Sequence, residues 1–454
     1  MTSSKMAEER RLRMMPSGSE LQVLLGNVVV AQLSGDLSQP VLNWTSEWRQ
    51  GGFLLAPSLP WEVNGLPPSG AAVRNFFENM LPEGTAFDHL LEYAQISRSN
   101  SIGLALHLGN DLPGAIRLRT ENQLLQGHPD VFRIIAEDEL DDRIGRMSAV
   151  PIDVWDGKPR LSVAGMQPKL NLLELNGHLG LCDGDRLASD RILKFSSAAR
   201  PLLLLNECMT MRLAAAAGWP IAKAGMRQVG VHQALEIMRF DRQAVAGTDG
   251  NMVVKRRHVI DGCQALGLPS AYKYERNYGD GRDVRHIREG ANLLKLFGLA
   301  SDADNPQAFI NNLYDWVLFS IVVGNADAHA KNISFFVGPN GIRPAPWYDL
   351  LSVVLVPDVS RQLAMSVSDE FEWDQLHALQ LLELADEIGR PRSWAQRRLE
   401  RLLDHLAKAL PQAAAAVIPQ NAEESDFQQT WMKFIDERIQ YWRNEASLMP
   451  KIKI

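Results

Sequence analysis

The chain has 454 residues, 46% of them hydrophobic and 22% charged, which is enough to bury a sizeable core and argues against a disordered chain. The formal net charge of −7 gives no reason to expect direct binding to nucleic acid. Three scattered cysteines, Cys182, Cys208 and Cys263, form neither a disulfide framework nor a C-x-x-C zinc site.

In chain order, residues 1–18 read as a flexible, polar tail with no apolar stretch after it, so no secretory signal is expected. No apolar run approaches the length needed to span a bilayer, and a cytoplasmic protein without membrane contact is expected. Segment 20–34 alternates and carries Val23, Val28, Val29 and Val30, which predicts a hairpin turned at Gly26–Asn27. Segment 70–96 has Val73, Phe76, Phe77, Met80 and Leu81 at helical spacing, broken at Pro82-Glu83-Gly84. A turn at 111–114 leads into a short strand at 115–118. Residues 120–155 read as a connection.

Strands are predicted at 160–164, 169–175, 178–182, 191–195 and 234–240, with one helix at 201–217 stopped by Gly218. Beyond about 243 the chain reads as mainly helical, at 286–299, 306–323, 372–388, 393–409 and 426–445. The expected fold is α+β: a β-rich lobe followed by a helical lobe, with a cleft between them.

The most informative stretch is Gly324-Asn325-Ala326-Asp327-Ala328-His329-Ala330-Lys331-Asn332, a polar loop between two apolar elements. Asp327 precedes Asn332 by five positions. That is the kinase spacing of a base that takes the acceptor hydroxyl's proton and an amide that holds magnesium. Asp349, in Trp347-Tyr348-Asp349-Leu350, suits the second magnesium ligand. Read alone, Asp327 and Asn332 are better explained as caps of turns; Asp349 and the upstream elements tip the balance.

Lys194 stands on the short apolar strand 191–195, and Glu207 lies on the next helix, the arrangement in which a kinase lysine meets the nucleotide phosphates. Read alone, Lys194 could be an edge-strand charge and Glu207 a solvated helix face. Ser162-Val163-Ala164-Gly165-Met166-Gln167-Pro168-Lys169 lies where a phosphate-covering loop belongs. It matches no glycine-rich pattern, and from the residues alone an ordinary hairpin turn is the better reading.

Taken together, the residues resemble the HipA family of serine/threonine kinases, the toxins of bacterial type II toxin–antitoxin systems. The resemblance rests on Phe76–Gly84, Ser162–Lys169, Arg239-Phe240-Asp241-Arg242, Cys263–Gly267, Lys273-Tyr274-Glu275, the 327–332 loop and Tyr348-Asp349, in family order. It implies a two-lobed, protein-kinase-like fold: a HipA-type N-terminal subdomain over 19–122, a β-rich nucleotide-binding lobe over 123–243 and a helical catalytic lobe over 244–454.

It implies ATP and Mg2+ as cofactors, with Asp327 as the base, Asn332 and Asp349 on the metal, and His329 orienting the loop. Lys194, Gly165, Gln167, Lys169 and Lys331 would meet the nucleotide, and Met238 and Phe240 would pack on adenine. Ser162 is the implied autophosphorylation site. Pro168 departs from the glutamate often found there and removes a backbone donor.

The implied partners are a HipB-like helix-turn-helix antitoxin, DNA only through that antitoxin, and a protein substrate, in the family typically an aminoacyl-tRNA synthetase. Two other functions are compatible with the motif spacings: a phosphotransferase acting on a small molecule, and a non-catalytic co-repressor of a DNA-binding antitoxin. The presence of Lys194, Asp327, Asn332 and Asp349 together weighs against the last.

Overall fold

The computed structural model describes residues 20–452, apart from 37–38, 162–164, 166 and 198. The predicted tail over 1–18 and the candidate Ser162 lie outside the described residues, as does most of the predicted strand 160–164.

The predicted hairpin forms at Leu21–Leu25 and Val28–Ser34, turned at Gly26 with φ +62. Strands Val41–Trp44 and Ile116–Thr120 flank it to complete a four-stranded sheet. The helical segment 70–96 is two helices, Gly70–Glu78 and Gly84–Ala94, separated at the proline break. The side chain of Ser69 caps the first by accepting from the Ala72 amide.

Residues 120–155 are more than a connection. They hold a helix at Glu121–Gln126, a strand at Val131–Ile134 and a helix at Glu137–Gly145. These elements are too short and too charged to show a clear period, and the strand is stabilised by pairing with the distant segment His178–Asp183.

That strand closes one edge of a six-stranded antiparallel sheet. Its order runs Ala224–Val229, His232–Met238, Arg191–Phe195, Lys169–Leu175, His178–Asp183, Val131–Ile134. Arg191–Phe195 is therefore an interior strand, with Lys194 opposite Leu235 on one side and Lys169 on the other. Helix Leu203–Ala216 is buried along most of its length, Glu207 included.

The chain beyond 243 holds the long helices Pro306–Val323, Arg392–Ala415 and Ala422–Leu448, but it is less helical than expected. Hairpins at 242–256 and 362–372, and a three-stranded sheet built on Ser334–Gly338, interrupt it. The predicted helix 286–299 shrinks to Leu293–Gly298. The backbone before it is committed elsewhere: Gly290 N donates to Glu275 O at 3.2 Å and Ala291 N to Tyr272 O at 2.8 Å.

Two motifs whose polar residues have no assigned chemistry turn out to sew the molecule together. In Phe76–Gly84, Glu78 accepts from the Ser270 amide and hydroxyl at 3.1 and 2.6 Å, and Asn79 donates to Leu268 O at 2.8 Å. In Arg239–Arg242, the Asp241 carboxylate accepts from Arg239, Arg242 and the Gly114 amide. One continuous hydrophobic core joins the N-terminal sheet to the C-terminal helices. A smaller one, with Leu140, Trp155, Leu172 and Leu193, packs against the six-stranded sheet.

Candidate active site

Between the six-stranded sheet and the helical part lies a cleft of about 340 Å³. Eleven of the twelve predicted site residues line it: Asp327, His329, Lys331, Asn332, Asp349, Gly165, Gln167, Lys169, Lys194, Met238 and Phe240. The twelfth, Ser162, is outside the described residues.

The loop 325–332 hangs from a rigid support. Helix Pro306–Val323 is buried along its second half and ends at Gly324, whose φ is +70. A Cβ there would sit 2.4 Å from Val354 Cγ2, so the sharp exit needs glycine for both space and conformation. The loop then closes on itself. Asp327 O accepts from His329 N at 2.8 Å and from Asn332 Nδ2 at 3.0 Å, and Asn332 N donates to His329 O at 2.9 Å. Tyr274 Oη donates to Asp327 Oδ1 at 2.7 Å, and its ring meets the His329 ring edge-on with centroids 5.1 Å apart.

Lys194 bridges two acids. Its Nζ lies 2.7 Å from Glu207 Oε1 and 2.5 Å from Asp349 Oδ1. Neither bland reading of these residues survives, because the strand is interior and Glu207 is buried. Burial opposes the Lys194 charge, but the Asp349 and Glu207 carboxylates outweigh it and hold its pKa above the ordinary lysine value. Burial likewise opposes the charge on Asp349, yet Lys194 pulls its pKa down to about 2. Asp349 sits at φ +55, a left-handed conformation that an aspartate adopts at a cost and that the surrounding structure must enforce. Glu207 is raised, by burial first and then by the nearby Asp349 charge. Lys169 is pushed down to about 8 by burial and by repulsion from Lys194.

One expected contact is redirected. The Lys331 ammonium spends its donors on Asp261 Oδ2 at 2.7 Å and on Asn79 O and Oδ1 at 2.9 and 3.0 Å. With three acceptors already met, it holds the loop to the N-terminal segment and has no donor left for a phosphate. Gln167 also turns to the protein, donating to Phe195 O at 3.5 Å. Phe240 packs against Phe336 and Tyr348, and Met238, 42% exposed, ends its strand at the mouth of the cleft.

The donor set fits magnesium. Asp349 is held ionised, and Asn332 commits its amide nitrogen to the loop, which leaves its carbonyl oxygen for a ligand; both are hard oxygen donors. Asn79, Glu83, Lys273 and Tyr274 also line the cleft, and sequence reasoning gave them no role there. Their signal was present, since all four fall in the motifs named above, but nothing in the sequence shows that residue 79 meets residue 331 or that residue 273 meets residues 83 and 330.

Comparison with known proteins gives a consistent picture. Residues 21–119 match the HipA N-terminal domain and residues 161–414 the HipA-like C-terminal domain. The chain is 39% identical over 414 residues to a serine/threonine-protein kinase toxin HipA of Shewanella oneidensis, covering 90% of this chain and 92% of that one. It is 32% identical over 366 residues to a putative kinase of Sinorhizobium fredii, covering 78% and 82%. Among solved structures, the Shewanella oneidensis toxin–antitoxin complex of HipA, HipB and operator DNA superposes with a TM-score of 0.86 at 36% identity, covering 96% of this chain and 100% of that one.

Proposed function

The chain belongs to the HipA family, and from that premise we propose that it is the kinase toxin of a toxin–antitoxin pair, transferring phosphate from ATP to a serine or threonine of a protein. The observation that carries this reading is the Lys194 ammonium shared between Glu207 and Asp349, in the same cleft as Asp327. A non-catalytic protein has no need to maintain that arrangement.

The acceptor hydroxyl gives its proton to the Asp327 carboxylate as its oxygen bonds to the γ-phosphorus and the bond to the β-phosphate oxygen breaks, releasing ADP. Lys194 and Lys169 supply positive charge to the phosphates. Asn332 and Asp349 would hold magnesium, which when bound neutralises phosphate charge. The 327–332 loop, closed by its own hydrogen bonds, keeps the base in place without help from the substrate.

The partner we assign is a HipB-like helix-turn-helix antitoxin, with operator DNA engaged through it. This rests on the likeness to the Shewanella oneidensis complex. No helix among the described residues is long and apolar enough to cross a membrane. The expected site of action is the cytoplasm and the expected substrate an aminoacyl-tRNA synthetase, whose modification would starve translation.

Phosphopeptide mass spectrometry of cells expressing the wild type or Asp327→Asn tests the reading. Phosphosites present only with the wild type are expected, while the variant folds normally, because a loop carboxylate contributes little to the core. Identical phosphopeptides from both would remove Asp327 from the chemistry.

A further inference from the structure

The motif Lys273-Tyr274-Glu275 is not absorbed by the transfer chemistry above, yet it touches the base directly. We propose that Tyr274 is a positioning residue for Asp327, and that Glu83 from the N-terminal segment anchors it through Lys273. The inference rests on the kinase reading of this cleft and extends it to Glu83, outside the lobe that carries the base.

The geometry is specific. Tyr274 Oη donates to Asp327 Oδ1 at 2.7 Å and is the hydrogen-bond donor to that carboxylate among the described residues. This fixes the carboxylate plane and leaves Oδ2 to take the proton of an incoming hydroxyl. The tyrosine is itself fixed from several sides. Ala330 N, in the catalytic loop, donates to Lys273 O at 3.2 Å. Glu275 N donates to Ala364 O, and Ala364 N to Ala326 O, both at 2.9 Å. On the far side, Gly290 lies so close that a Cβ there would come within 1.8 Å of Tyr274 O. The His329 ring packs edge-on against the phenol. The phenol therefore cannot swing away without disturbing the loop it serves.

The last support comes from 190 residues away in sequence. Lys273 Nζ pairs with Glu83 Oε2 at 2.6 Å, with both side chains mostly out of water. Glu83 follows Pro82 at the start of helix Gly84–Ala94, so the pair couples that helix start to the tyrosine next door. The N-terminal segment thus helps set the geometry of the base, besides holding Lys331 through Asn79.

The test uses the full chain with casein as acceptor, measuring kcat and KM for ATP, together with crystal structures. Tyr274→Phe keeps the ring and removes only the hydroxyl. Its kcat is expected to fall about tenfold to a hundredfold, with KM for ATP changed less than twofold. Its crystal structure is expected to show Asp327 rotated or in two conformers. Glu83→Gln is expected to lower kcat in the wild-type background but hardly at all in Tyr274→Phe, because it acts through the tyrosine.

Three results would overturn the proposal: kcat unchanged in Tyr274→Phe, kcat raised (which would make the phenol a competitor for the acceptor position), or Asp327 unmoved in its crystal structure. Independent, additive losses would remove Glu83 from the chain of action. A wild type that turns over no ATP would instead sink the kinase reading, and the crystallographic comparison would still judge the role of Tyr274.

Discussion

His258 has one ring nitrogen committed and one without a partner. Nε2 lies 2.8 Å from Leu55 O, a carbonyl that can only accept, so the neutral ring carries its hydrogen on Nε2. Nδ1 is buried and has no hydrogen-bond partner. A second proton would place an unpaired N–H in the interior, and burial pushes the pKa down from 6.5 to about 4, against a weaker opposing effect of the Leu55 carbonyl. The folded pKa is below the unfolded one, so the unfolded chain takes up the proton first. Stability is therefore full above about pH 6.5 and is lost as the pH falls towards 4, by at most about 3 kcal/mol for a shift of this size. His258→Gln keeps a donor for Leu55 O and has nothing to titrate, so its urea midpoint should fall less steeply between pH 6.5 and 4 than that of the wild type. Parallel acid limbs for the two proteins would rule out His258 as a contributor. The same contrast between committed and uncommitted atoms separates Lys194 from Lys331. Both are buried lysines lining one cleft, but Lys194 is met by acids that belong to the site, whereas Lys331 is saturated by Asn79 of the N-terminal segment together with Asp261. Their positions near a motif could not distinguish them, because the sequence does not show what lies across the cleft.

At the scale of elements, legibility followed length and period. Pro306–Val323 forms where predicted, because eighteen residues with a proline at the start, a glycine stop at 324 and an apolar second half buried on all sides leave little ambiguity. Val131–Ile134 was missed, since a four-residue edge strand with both ends exposed carries no pattern of its own. The hairpins after 243 were missed for a related reason: their strands have three to six residues, and their partners determine them. The candidate site was more legible than the fold around it. Asp327, Asn332 and Asp349 sit at spacings that the chemistry dictates, whereas Tyr274 and Glu83 reach the base only through tertiary contact. The C-terminal helix Ala422–Leu448 shows what such contacts add. Trp431, Ile435, Ile439 and Trp442 bury one face of it, as the period predicts. Arg438, however, lies over Trp373 at 4.2 Å and Tyr441 at 4.5 Å, with Nε and Nη2 lacking hydrogen-bond partners. Burial lowers its pKa to about 10. Its gain is stem packing plus cation–π attraction, set against poorly compensated desolvation. Arg438→Ala should therefore cost about 1–2 kcal/mol in chemical denaturation, while Arg438→Met, which keeps the stem and drops the charge, should stay within about 1 kcal/mol of the wild type. A methionine variant as unstable as the alanine variant would show that the charge, rather than the packing, holds this helix.

For the whole molecule, the question is whether the N-terminal segment folds with the rest or beside it. The hydrophobic core runs without a break from Leu21 and Val30 through Phe76 to Leu213, Phe319 and Trp431. Polar seams follow the same border, with Ser58 donating to Gln264 O at 2.6 Å and Arg117 paired with Asp185. Asp241 is the most concentrated of these seams. Its buried carboxylate takes two bonds from Arg239 at 3.0 and 2.9 Å, one from Arg242 Nη1 at 2.9 Å and one from Gly114 N at 2.9 Å. Arg242 goes on to the carbonyls of Leu112 and Gly114. Burial opposes the Asp241 charge, but the two arginines outweigh it and hold the pKa far below the usual carboxylate range. The Arg242 guanidinium is lowered to about 10, by burial and then by Arg239. Without Asp241, two buried cations would face each other, and the Gly114 amide would lose its acceptor. Removing one member of such a buried set costs about 3–5 kcal/mol, well above the cost of a surface ion pair. For a chain of this length that corresponds to a fall in Tm of about 3–5 °C for Asp241→Ala. Because the core is continuous, wild-type calorimetry should show one transition, with calorimetric and van't Hoff enthalpies in agreement. In the variant the weakened border should let the N-terminal segment melt first, so the peak should broaden or split. The loss should also reach the active site, since Asn79 and Glu83 would no longer be held against Lys331 and Lys273, and kcat should fall at temperatures below the main transition. A variant that melts within 1 °C of the wild type in a single sharp peak would show that the apolar core alone joins the two parts.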